Sequence, residues 1–417
     1  MSEDLLRARA ALSRLFEPSD MVGLALVSAA GPEQALQIAT GGRQVSSALI
    51  HKTAGILTSV GVAGKGYALA EGLKRWRPRV ADLAPDRDLE TIRRLGGELL
   101  IPEDPRWPEA LSHLELGMPL CLWVRGQLAG GLPDMKRTVA LVGSRDATGY
   151  GLSITGDLSA GLASRGYTVV SGGAYGIDAQ AHRAALAATL PEAAGSGIST
   201  IAVMACGADR FYPAGNEDLL RAIAEHGLLL SEVPPGSAPT RWRFLQRNRI
   251  IAALSAVTVV VEARWRSGAL NTAHHAAGLG REVGAVPGSV YSANSAGCHR
   301  LLRDGSAVCV TDAQEVAELA GPLTQEVPDV AQAVESASQS GHGPAARARE
   351  KRSDHDGLAV EDLLLLDALP VRSDTSIDKL ASVAGLPVAG VRAGLARLEL
   401  EGLAIRAGPD GWRRGKR

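Results

Sequence analysis

Apolar positions fall into distinct regimes along the chain. In residues 1–115 they recur at helical spacing, as in DLLRARAALSRLF, and PEQALQIAT opens with a proline suited to a first helical turn. LETIRRLGGELLIPEDPRWPEAL closes this region with a short strand and a proline-rich turn. The pattern then changes. RTVALVGS, YTVVSGG, STIAVMACG, GLLLSEVPP, AVTVVVEA, EVGAVPGS and SAVCVTD are apolar without strict alternation. Such runs predict parallel strands buried on both faces. Helical patterns between them predict an α/β fold, a Rossmann-like doubly wound sheet with right-handed crossovers.

Further along, QAVESASQSGHGPAARAREKRSDHDG is rich in small and charged residues, which predicts a linker over 319–358. Periodicity returns at 359–417. IDKLASVAGLPVAGVRAGLARLELEG reads as helix, turn and helix, and LAIRAGPDGWRR as a two-stranded wing. The expected organisation is a helical domain at 1–115, the α/β core at 116–318, the linker, and a winged-helix-like domain at 359–417.

Composition adds limits. The 417 residues carry a net charge of −1, so nucleic-acid binding needs a local basic patch rather than a global one. MSEDLLRARA places charges where a signal peptide needs an apolar core, and no apolar run approaches the roughly 20 residues of a membrane span. Cys121, Cys206, Cys298 and Cys309 form no C-x-x-C pair. They are read as reduced, buried thiols, with no metal and no cofactor expected, in a cytoplasmic protein.

Three glycine-bearing turns follow strands and should meet at the carboxyl edge of the sheet. The first holds Gly143, Ser144 and Arg145 in LVGSRDATGYG. The second, SGGAYGIDAQAH, holds Ser171, Gly172, Gly173 and Gly176, with Asp178 as a helix cap. The third holds Ser267, Gly268 and Thr272 in EARWRSGALNTAHHAA. Together they suit a long phosphate-bearing ligand. GVAGKGY is no P-loop, because Gly66 follows Lys65 where Ser or Thr is needed. The adjacent His274 and His275 cannot face one ligand from a helix.

The segment RWRFLQRNRIIAALS is the most informative. From Arg241 to Arg266 there are six arginines against one acid, Glu262, with Trp242 and Phe244 between them. Arginines neutralise phosphates, and rings stack on unpaired bases at roughly 1–3 kcal/mol per base.

Taken in order, GSR at 143–145, SGGAYGID at 171–178, FYPAGN at 211–216, GLLLSEVPPG, RFLQRNRIIAALS, VVVEARWRSGALNTA and VPGSVYSANSAGCHRLLRDGSA resemble the DNA-processing protein A family (DprA, also called Smf). The resemblance implies a protein that binds and protects single-stranded DNA in natural transformation (competence) and loads the RecA recombinase onto it for DNA recombination. It implies no catalysis. It also implies a helical N-terminal domain of SAM or helix-hairpin-helix type, and a homodimer formed near GCHRLLRDGSAV. By the same resemblance Arg145 grips phosphate, and Ser171, Gly172, Gly173 and Gly176 offer backbone N–H groups. Phe244 meets a base, Arg241, Arg247, Asn248 and Arg249 border the groove, and Ser267, Gly268 and Thr272 complete it. One departure stands out: Ala214 follows FYP where many relatives have lysine. The rival reading is a phosphoribohydrolase of the lysine-decarboxylase-like type. It needs P-G-G-x-G-T-x-x-E, and the glutamate is absent from RSGALNTAHH.

Overall fold

The computed structural model describes residues 2–62, 64–126, 128, 130–188, 197–321, 358–370, 374–407 and 411–415. Six helices come first: α1 (Glu3–Leu15), α2 (Met21–Ala30), α3 (Pro32–Ala39), α4 (Ser47–Ser59), α5 (Leu69–Trp76) and α6 (Pro85–Arg94). Their starts follow local chemistry. Ser2, Asp20 and Ser46 accept N–H bonds at the heads of α1, α2 and α4, and Pro32 opens α3. Leu12, Leu15, Phe16, Val22, Leu26, Ile38 and Trp76 form the core of this unit.

Next come β1 (Gly97–Leu100), β2 (Leu122–Gly126), β3 (Thr138–Val142), α7 (Gly149–Ser164), β4 (Thr168–Ser171), α8 (Ile177–Ala188), β5 (Thr200–Met204), α9 (Glu217–His226) and β6 (Leu228–Ser231). They are followed by α10 (Arg241–Leu254), β7 (Val257–Val260), α11 (Gly268–Gly278), β8 (Glu282–Ala285), α12 (Ala296–Arg303), β9 (Val308–Cys309) and α13 (Ala313–Ala320). Among the described residues one sheet has the order β1-β2-β6-β5-β4-β3-β7-β8-β9. From β6 through β9 neighbours are parallel, whereas β1 and β2 join antiparallel.

All seven runs read as strands lie in this sheet. The short strand expected to close the helical region, β1, is instead the sheet's edge, paired Gly97 to Arg125 and Leu100 to Leu122. Its partner β2 was not foreseen. Burial on both faces explains the missing alternation. Val139 and Leu141 pack under α7, α8 and α13, while Ala140 and Val142 pack under α10 and α11. The strand order reverses at β3, with β4 on one side and β7 on the other, so a crevice opens at the carboxyl ends of these strands.

The C-terminal unit is α14 (Val360–Ala368), α15 (Ile377–Ala384), α16 (Val388–Leu400) and a hairpin of β10 (Ala404–Ala407) and β11 (Gly411–Arg414). Leu365, Leu366, Leu380, Val391, Leu395, Leu398 and Trp412 fill it. The expected linker lies, apart from its ends, outside the described residues. No described helix is long and apolar enough to cross a membrane. Three cysteines are buried as expected, but Cys309 is exposed, because β9 is the outer edge of the sheet and only two residues long.

Candidate nucleic-acid interface

The crevice is built by loops that leave β3, β4, β5, β6 and β7 at one edge. In the loop after β3, the Ser144 hydroxyl donates to Asp146 at 2.6 Å, and Thr148 caps α7. Between them Arg145 is half-buried. Its guanidinium lies 5.0 Å from the centre of the Phe244 ring, a cation–π contact. The Tyr212 ring, from the loop after β5, stands 5.9 Å from Phe244 at a tilt of 52°. Arg145 makes no ion pair with any described residue.

The glycine loop after β4 is closed rather than open. The Ser171 hydroxyl is buried and donates to the Leu141 carbonyl at 2.6 Å, which locks the strand end. The Gly172 N–H donates to Asp178 at 3.1 Å, so Gly172 does not present the donor expected of it. Asp178 clamps the preceding loop rather than capping a helix start. Glycine is required at 172 because the Arg247 guanidinium occupies the space a methyl group would fill. Gly176 has φ +73°, and a methyl there would collide with the Ser144 carbonyl, so this turn brings the second loop onto the first. Gly173, also left-handed, is buried, and its carbonyl accepts from Asn216 at 3.0 Å.

Arg247 is buried between Asp178, 3.8 Å away, and the Val203 carbonyl, to which it donates at 3.0 Å. Burial pushes its pKa down to about 10, against the pull of Asp178. Burial likewise raises the Asp178 carboxyl, opposed by Arg247 and Arg145. Both shifts have the same origin: each charge has lost its water.

The remaining expected arginines separate into two kinds. Arg249 is buried in a fork on Glu232, with bonds of 2.6 and 2.9 Å, and does not border the groove. Arg243 makes a fork on Glu17, both bonds at 3.0 Å. Burial raises the Glu17 carboxyl, but Arg243 and Arg79 outweigh it and hold it below its ordinary range. Arg264 pairs with Asp146. Glu262, the one acid within the cluster, is instead taken by the backbone N–H and hydroxyl of Thr148, at 2.9 and 2.6 Å. Thus the cluster's counter-ions come from distant segments. Only Arg241 and Arg266 of the six have no ion pair with a described residue, and both are exposed at the sheet's carboxyl edge.

In the third loop Ser267 caps α11 and Gly268 is exposed at its first turn, its carbonyl accepting from Asn248. Asn248 also bonds Asn271 at 3.1 Å, tying α10 to α11. Thr272 is buried. A cavity of about 670 Å³ lies beyond this loop, lined by Thr148, Tyr150, Glu262, Pro287 and Ser295 among others. Gly143, beside it, packs on Ile177. The structure therefore brings Arg145, Phe244, Arg241 and Gly176 to one open edge, and puts Ser171, Gly172, Arg247, Arg249 and Thr272 beneath it. It also adds groups the sequence did not single out: Tyr175, Tyr212 and the exposed Trp265, over which Arg300 lies at 5.2 Å. The signal for Tyr175 and Trp265 was an aromatic beside a glycine or an arginine, whereas Tyr212 stands between Phe211 and Pro213. Among the described residues no cluster of His, Cys, Asp or Glu is arranged to hold a metal.

Comparison with known proteins identifies the chain's relatives. Residues 98–321 match the family model described as DNA recombination-mediator protein A. A putative DNA processing protein DprA of Mycobacterium tuberculosis is 41% identical over 415 residues, covering 97% of this chain and 93% of that protein. The DNA processing protein DprA of Streptococcus pneumoniae is 39% identical over 215 residues, covering 51% of this chain and 71% of that one. The X-ray structure of the S. pneumoniae protein superposes with a TM-score of 0.57 at 28% identity, over 76% of this chain and 98% of that chain.

Proposed function

The chain belongs to the DNA recombination-mediator protein A family, and from that premise we propose that its open sheet edge binds single-stranded DNA without regard to sequence. One observation carries the reading: Arg145, half-buried and without an ion pair among the described residues, is held over the Phe244 ring beside Tyr212. A cation placed among rings is the chemistry a single strand needs, since its phosphates want charge and its unpaired bases want a flat partner. Arg241 and Arg266 extend the charge along the same edge. Ser144, Gly173, Gly176, Asn248, Ser267 and Gly268 shape the floor that positions these groups.

On this reading the protein acts by binding rather than by catalysis. It protects the strand in the cytoplasm during DNA processing and natural transformation and passes it to the RecA recombinase. The family's description as a recombination mediator supports that role. A homodimer would set two such edges on one strand. The β9 edge, with Val308 and Cys309 exposed, offers the open outer side of a strand for it.

Fluorescence anisotropy against a labelled oligonucleotide, single-stranded and then duplex, over a salt series, tests the proposal. Single-strand preference that weakens with salt is expected. Arg145→Ala should lower affinity and flatten the salt slope by about 0.7, the share of one phosphate contact on a single strand. Equal binding to duplex, or a slope unmoved by Arg145→Ala, would refute it.

A further inference from the structure

The C-terminal unit rests on the same edge. Leu364 and Ala384 are buried against Tyr175 of the glycine loop. At the last turn of α14, Asp367 reaches into the crevice. Its Oδ2 accepts from the Tyr175 hydroxyl at 2.8 Å and from the Ala214 backbone N–H at 3.0 Å. Two features make this contact unusual. An acid in the last turn of a helix faces the negative end of the helix dipole, so local preference does not explain it. And α14 is fixed to its own unit by a fork from Arg397 to Asp362, both bonds at 2.7 Å, so Asp367 moves with the whole unit rather than as a loose side chain.

A carboxylate oxygen held by one backbone N–H and one hydroxyl is bound as a phosphate oxygen would be. Tyr175 directly precedes Gly176, whose turn lies against Arg145, and Ala214 is two residues beyond Tyr212. The subsite therefore continues the Arg145–Phe244–Tyr212 edge. Burial raises the Tyr175 hydroxyl, and the Asp367 charge adds to it, so the tyrosine stays a donor at neutral pH. Position 214 contributes its backbone N–H, which alanine supplies as well as lysine would.

Resting on the single-strand reading above, we infer that the Ala214 N–H and the Tyr175 hydroxyl form an anion subsite for a DNA phosphate, and that Asp367 of the C-terminal unit fills it when no strand is bound. Strand and carboxylate compete, so engaging the full edge lifts α14 away.

The test uses the full chain and a labelled oligothymidylate. Asp367→Asn keeps the size and removes the charge, and Asp367→Ala removes both. Each should bind the strand about tenfold more tightly than the unaltered chain, the scale of one charged hydrogen bond. Glu399→Ala, which takes an equal charge from the exposed face of α16, should leave affinity unchanged. In hydrogen exchange, saturating oligothymidylate should raise exchange across 360–368 while 211–216 stays protected. Unchanged or weaker binding by both Asp367 variants would overturn the inference, as would α14 staying protected with the strand bound. An equal gain from Glu399→Ala would reduce the effect to net charge and overturn it too. If neither the unaltered chain nor either variant binds, the single-strand reading itself fails first.

Discussion

Arg145 and Arg247 are close enough for the charge of one to depress the pKa of the other, yet they live under opposite conditions. Arg247 is walled in by Gly172, Asp178 and the Val203 carbonyl. Arg145 has a ring beneath it and no carboxylate partner among the described residues. The same division runs along α10, whose first residue, Arg241, is exposed and whose Arg249 is buried on Glu232. A buried, partnered cation defines the shape of the floor. A cation left without a partner at the rim has its charge available for a phosphate. Removing the first kind should cost stability, and removing the second should cost affinity.

Arg249→Ala strains this division hardest. It strands the Glu232 carboxylate, 11% exposed, without its fork, and should cost about 3–5 kcal/mol in chemical denaturation. Protein that remains folded should keep its salt slope. A reduced slope would put Arg249 on the rim. Phe244→Ala comes next. It should weaken single-strand binding by about 1–3 kcal/mol per base it stacks while leaving the slope unchanged, because a ring carries no charge. A changed slope would mean that Arg145 loses its place without the ring.

The buried side also predicts a pH effect. His182 is fully buried, with Nδ1 2.7 Å from the Thr200 hydroxyl, and burial with the nearby Arg247 charge holds its pKa at about 3. Unfolded, it would titrate near 6.5. Between these values the unfolded chain takes up a proton that the folded chain refuses. Stability is therefore full above about pH 6.5 and should fall toward pH 3, by about 1.4 kcal/mol per pH unit from this residue. Denaturation midpoints over that range should show it, and His182→Gln should remove this share of the slope. The smallest effect belongs to the rim: Arg241→Ala should change stability by no more than about 0.5 kcal/mol and lower the single-strand salt slope by about 0.7. A large loss of stability instead would place Arg241 with Arg247.

Much of this was legible beforehand. Strands such as TVALV and VTVV announce themselves because burial on both faces demands uninterrupted apolar residues. The antiparallel strands β1 and β2 are less constrained. GELL and LWVRG each carry a charged residue, and what makes them strands is pairing with each other and, for LWVRG, with β6, a non-local event. The candidate site was legible in part for a similar reason. Glycine turns after strands mark the edge where ligands bind, but the fate of a polar group depends on its neighbours. The Gly172 N–H looked available because Asp178, which takes its hydrogen bond, reaches it only in the folded chain, where the Leu141 carbonyl also takes the Ser171 hydroxyl.

The sequence by itself determined the doubly wound sheet, its carboxyl edge and the concentration of arginines and rings there, because periodicity and composition act locally. Only the tertiary structure decided which arginines stay open. Their counter-ions, Glu17, Asp146, Asp178 and Glu232, lie far along the chain or on other elements, and Asp367 reaches the edge from the C-terminal unit. Charge pairing is set by distance in space, which folding alone supplies.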